Sequence, residues 1–133
     1  MLTSVARDMM RGDTLVIDYK VFKDATTGLP VPGAVGQIFD LTGSKAWWTA
    51  KNNVVVQDNE AVFQRTSTPA NGIVFTDAVQ GKLRVTIDPA NTRAMPDQVT
   101  ALVYDLQIQT PAGAIVTLEM GTMVIVPDIT RAT

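Results

Sequence analysis

A chain of 133 residues with no cysteine and no histidine excludes disulfide frameworks, thiolate metal sites and imidazole acid–base chemistry. Eleven basic against thirteen acidic side chains give a net charge of −2, without the basic stripe of a nucleic-acid binder, so no nucleic-acid partner is expected. The length predicts one domain, and a charged share of 18%, below the roughly 25% usual in soluble domains, predicts that part of its surface is covered by a neighbour.

Residues 1–11 carry Leu2, Val5, Met9 and Met10 outside any alternating strand and contain no apolar core of a secretory signal. They read as an N-terminal arm whose Met9 and Met10 pack either on an edge strand of the same domain or on another subunit, since methionine adapts to irregular surfaces; contact with another subunit is the reading taken. Arg11-Gly12-Asp13 spells an integrin-type tripeptide. It reads instead as a tight turn in which Gly12 takes positive φ just before the first strand.

From there period-two alternation dominates. Leu15, Ile17, Tyr19 and Val21 alternate with Val16, Asp18 and Lys20, the pattern of a half-buried strand. The Gly-, Pro- and Thr-rich residues 24–33 read as a loop, with two prolines that exclude an interior strand. Short strands are predicted at 35–41, 44–51, 54–56, 61–66 and 73–76. The second of these, residues 44–51, predicts Trp48 inward as core and Trp47 outward, where a large aromatic either marks an interface or packs under a neighbouring loop. Residues 82–88 turn Leu83, Val85 and Ile87 inward. Residues 89–93 suit one helical turn, with Asp88 as N-cap and Pro89 first.

Residues 99–109 give the clearest strand, with Leu102, Tyr104, Leu106 and Ile108 inward. Tyr104 suits either the tyrosine corner of Greek-key domains or an ordinary inward tyrosine. The last strand, 114–126, slips phase near Gly121, where a bulge is predicted. Residues 128–133 read as a polar tail. The longest uncharged apolar run, 120–127, is too short to cross a bilayer, so no membrane partner is expected. Short strands with turn signals about every ten residues predict a sandwich or small barrel.

The thirteen carboxylates are scattered, nearly all in predicted turns or on outward phases, and no pair has acid–base spacing. Neither a Ca²⁺ loop, a serine-nucleophile motif nor a phosphate-binding glycine loop occurs. The reading is a chain with no catalytic residues, metal, cofactor or small-molecule substrate.

Four segments carry a resemblance: Arg11-Gly12-Asp13-Thr14 before a strand, residues 40–51 (DLTGSKAWWTAK), residues 102–107 (LVYDLQ) and residues 121–131 (GTMVIVPDITR). Over about residues 10–131 the chain resembles a family of tailed-bacteriophage virion proteins. It is similar to their small immunoglobulin-like members and to the N-terminal domains of baseplate and receptor-binding-fibre proteins. The resemblance implies a single antiparallel immunoglobulin-like β-sandwich of seven to nine strands over residues 12–127, made in the bacterial cytoplasm and built into the virion. Its implied partners are other virion proteins, including copies of itself. In longer relatives a fibre region follows the last strand; the end at Thr133 favours an adaptor in the tail, baseplate or fibre-attachment region. A capsid decoration or head-fibre protein is the alternative, and a host-glycan module acting through Trp47 is a further one.

Overall fold

A computed structural model describes residues 4–33, 36–52, 61–93, 95 and 98–127. Within them lie eleven strands and one short helix. In chain order these are β1 (Ser4–Met10), β2 (Leu15–Lys20), β3 (Phe22–Lys23), β4 (Pro30–Val31), β5 (Gln37–Ile38) and β6 (Lys45–Lys51). They continue with β7 (Phe63–Thr66), β8 (Ile73–Asp77), β9 (Lys82–Ile87), α1 (Pro89–Arg93), β10 (Thr100–Gln109) and β11 (Ile115–Val126).

The chain is all-β, and its sheets are antiparallel apart from one pair. One sheet has the order β1-β11-β10-β6-β7, a second β2-β9-β8, and a small third β4-β3-β5. The exception is β1, which runs parallel to β11 from Ser4 opposite Met120 to Met10 opposite Val126. Eight strands have four or more residues and three have two, against an expected seven to nine.

Alternation explains the core. β10 buries Leu102, Tyr104, Leu106 and Ile108; β6 buries Ala46, Trp48 and Ala50; β9 buries Leu83, Val85 and Ile87. Ile17 of β2 joins them, and the two larger sheets share one hydrophobic cluster. Each large side chain removed from water contributes about 1.5–3 kcal/mol. Trp48, fully buried, stacks between Tyr104 at 4.6 Å and Phe63 at 5.8 Å.

Three expectations need correction. Residues 4–10 are no separate arm: they form an edge strand of the five-stranded sheet, and Met9 is 7% exposed, inside the core cluster. The physical reason is that Val5, Arg7 and Met9 alternate with Ala6, Asp8 and Met10, a strand pattern hidden by the arginine on its inward phase. The bulge in β11 lies not at Gly121 but at Leu118, which has no opposite number when the β10 register shifts between Leu106 and Gln107. Gly121 serves a close approach instead: a Cβ there would overlap the Val5 carbonyl of β1. And while the helical turn does open at Pro89 with Asp88 before it, Asp88 meets that turn through its backbone, bonded both ways with Asn91. Its carboxylate accepts from Arg65, 3.0 Å away, rather than capping the turn. Val35, the strand predicted at 54–56 and the tail at 128–133 lie outside the described residues.

Candidate functional site

The bulge at Leu118 has a direct chemical consequence. C-terminal to it, Gly121, Met123 and Ile125 are buried, and Glu119 shares their odd, inward phase opposite Leu106. A carboxylate is thereby turned toward the core. Arg7, on the inward phase of β1 with Met9, meets it through Nη2 at 3.1 and 3.0 Å from the two oxygens and Nε at 3.2 Å from Oε2. Tyr19 of β2 donates to Oε2 at 2.6 Å and Tyr104 of β10 at 2.8 Å. Arg7 Nε also donates to the Tyr104 hydroxyl at 3.0 Å, and Trp48 Nε1 to the Tyr19 hydroxyl at 3.3 Å.

This cluster is closed rather than reactive. Burial first, then the hydrogen bond to Glu119 and its charge, pushes the Tyr104 phenol up to about 12. The same causes, burial leading, push the Tyr19 phenol up further. Burial pulls on the Arg7 guanidinium, but Tyr19, Glu119 and Tyr104 together hold its proton more firmly than usual. Neither phenol is poised to give up a proton near neutrality. No second carboxylate or nucleophile joins them, and no group of three or more metal-ligating side chains occurs among the described residues. The cluster joins β1, β11 and β10 of one sheet to β2 of the other, and so acts as a clasp.

The opposite face of the five-stranded sheet divides in two. Toward β1, the outward residues are Met10 beside Val126, Ala101 beside Val124, Val103 beside Thr122, and Met120. Met120 is 42% exposed, Ala101 is exposed, and Val103, Val124 and Met10 are half-buried. Asp8 stands among them, and Asp105 opposite Met120 and Lys51 opposite Val103 mark the border with the other end. Toward β7 the face is polar: Trp47, Thr49, Lys51, Gln64, Asp105, Gln107 and Ile115 line a groove of about 410 Å³.

The structure thus separates the residues singled out from the sequence. Trp48 and Leu106 are fully buried and Tyr104 nearly so. The Tyr104 hydroxyl bonds Glu119 rather than tying down a backbone connection. Met9 is core and so is unavailable as the interface residue it was read to be; Met10 and Trp47 stand half-buried on the outward face, at opposite ends. Gly12 has φ +80°, and its N–H donates to Thr92 Oγ1 at 2.9 Å. Arg11 Nη1 donates to the Met95 carbonyl at 2.9 Å, so the tripeptide is tied to its own domain. Arg7, Tyr19 and Glu119 were missed as a group. Counting odd residues back from Ile125 through Met123 and Gly121 is the signal that reaches Glu119.

No protein-family model and no curated protein matches the chain.

Proposed function

We propose that this chain is an immunoglobulin-like β-sandwich that serves as a structural subunit of a tailed-phage virion, acting by protein–protein docking and not by catalysis. The fold reading is supported by strand order: β1-β11-β10-β6-β7 beside β2-β9-β8, with β1 parallel to the last strand, follows the variable-type immunoglobulin arrangement. The sequence resemblance to virion proteins supports the setting, in the tail, baseplate or fibre-attachment region among other virion proteins and further copies of the chain.

The observation that carries docking is the apolar stripe of Met10, Ala101, Val103, Met120 and Val124 across three hydrogen-bonded strands. Met120 and Ala101 are exposed and the other three half-buried, with Asp8, Thr122 and Asp105 set among them; such a mixed surface is the composition of non-obligate protein interfaces, and methionine is enriched there. A photo-crosslinker placed at Met120 in phage particles is expected to capture another tail or baseplate protein, and Met120→Lys to block incorporation. Capture of the major capsid protein would move the subunit to the head. Normal incorporation of Met120→Lys and Val124→Lys, with no cross-link, would overturn docking through this face.

A further inference from the structure

We propose that the groove at the β7 end of the outward face, which borders the apolar docking stripe, is a binding site for a neutral glycan chain. Its floor is three hydrogen-bonded strands, with Gln64 of β7 opposite Thr49 of β6, and Thr49 opposite Asp105 of β10. Side chains on paired strands are held in register, so little order has to be imposed when a ligand arrives.

The lining has the chemistry that recognises sugars. Trp47 stands half-buried on the outward phase with Gln107 directly opposite; an indole offers the flat apolar surface on which the C–H face of a pyranose ring rests. Two carboxamides lie near it, Gln107 directly opposite on β10 and Gln64 diagonally across on β7, where Thr66 is the direct partner, and each is pinned by a threonine on a neighbouring strand. Gln64 Nε2 donates to Thr49 Oγ1 at 2.9 Å, and Gln107 Nε2 to Thr117 Oγ1 at 3.3 Å. The pinned nitrogen orients each amide, whose carbonyl oxygen and second N–H match vicinal hydroxyls, groups that both donate and accept. Thr49 is only 5% exposed despite its outward phase, and its hydroxyl accepts from Gln64.

Charge selects within that class. Lys51 and Asp105 bring one charge of each sign to the lining, so the groove has no net attraction for a polyanion. A protein-docking centre would instead be apolar, as the stripe at the other end of the sheet is. The volume, about 410 Å³, falls within the range of small-ligand sites and suits a short run of sugar units.

The test titrates the full chain with cellohexaose, maltohexaose and chitohexaose, followed by tryptophan fluorescence and calorimetry, with dextran sulfate as the anionic comparison. Saturable binding in the millimolar range or tighter is expected for at least one neutral oligosaccharide and not for dextran sulfate. Trp47→Ala and Gln107→Ala should each weaken it by about tenfold or more, as losing a ring contact or a hydrogen-bonding amide does. Met10→Lys, on the far edge strand, should bind as wild type. Gln107→Ala lies at the surface and keeps the test open if Trp47→Ala melts early. Absence of saturable binding to all three sugars, unchanged binding by Gln107→Ala, or a preference for dextran sulfate would overturn the proposal. None of those outcomes bears on docking through the stripe, which the cross-linking experiment reads separately.

Discussion

Arg7 on the edge strand forks onto Glu119 of the neighbouring parallel strand, with Nη2 3.0 Å from Oε2. The side chains are 28% and 15% exposed, so the pair sits mostly out of water and is hydrogen-bonded on several sides. Removing one member of a buried pair strands the other charge and the hydroxyls that served it. Glu119→Ala should therefore destabilise the domain by about 2–4 kcal/mol, and Arg7→Met by less, because the tyrosines still serve the carboxylate. A double-mutant cycle read by urea denaturation should give a coupling of about 1–3 kcal/mol. Additive single losses would show that the two residues do not act together.

The chain has two tyrosines, and both donate to that carboxylate. Burial, chiefly, raises both phenols, Tyr104 to about 12 and Tyr19 further. A folded-state pKa above the unfolded value of about 10 means the native state holds the proton more tightly. The stabilisation is fully present below about pH 10 and is lost as pH rises through about 12. Ultraviolet titration of the native protein should show almost no tyrosinate at about pH 10.5, with ionisation and unfolding arriving together above it. Half-ionised phenol near pH 10 with native circular dichroism would contradict the clasp.

Most of the fold was legible because alternation survives wherever apolar side chains face in. β6, β9 and β10 each bury the residues that a period of two selects, Trp48 and Leu106 among them, and β2 buries Ile17 and half-buries Leu15 and Tyr19. The clasp was not legible, and its members explain why. Arg7 and Glu119 point inward as charges, which breaks the pattern used to find strands, and they lie 112 residues apart. A one-residue bulge then flips the phase of β11, so Glu119 reads as outward when counted from Ile115. The outward groove was half visible, in Trp47. Its amides gave no signal, because Gln64 and Gln107 acquire meaning only when β7 and β10 flank β6.

Trp48→Ala should cost about 3–5 kcal/mol, the range for deleting a buried aromatic. The indole is fully buried, stacks on Tyr104 and Phe63, and donates to Tyr19, so its loss opens a cavity and removes a polar contact to the clasp. Trp47→Ala at the next position, half-buried on the other face, should cost under about 1.5 kcal/mol. Thermal melts of the two variants compare them directly. Equal losses would mean that the faces of β6 are misassigned.

Gly12 separates a turn role from a recognition role. Its φ is +80°, and a Cβ there would meet nothing within 4 Å, so the cost of a side chain is backbone strain alone. For a β-branched residue that strain is about 1–3 kcal/mol, so Gly12→Val should lower stability by that amount and Gly12→Asn by less. Asp13→Asn, exposed, should change it by under about 0.5 kcal/mol. Matched denaturation curves for the three variants check the order; a larger loss from Asp13→Asn than from Gly12→Val would reverse the reading.

The N-terminal strand gives the sharpest test of domain integrity. Deleting residues 1–10 removes β1 with Met9 from the core, exposes the β11 edge from Met120 to Val126 along its whole length, and leaves Glu119 without its guanidinium. An exposed, long apolar edge is a template for association with other chains. An inward charge such as Arg7 on the terminal strand is one of the devices that keep such edges apart. The truncated chain is therefore expected to aggregate or to melt well below the full-length protein. Gly121→Ala should reproduce part of that loss in the intact chain, because the added Cβ collides with the Val5 carbonyl and pushes β1 off its partner. Size-exclusion chromatography and thermal melting of both variants measure this. A truncated chain that stays monomeric with an unchanged melting temperature would show that β1 is dispensable to the fold, and would return it to the role of an assembly arm.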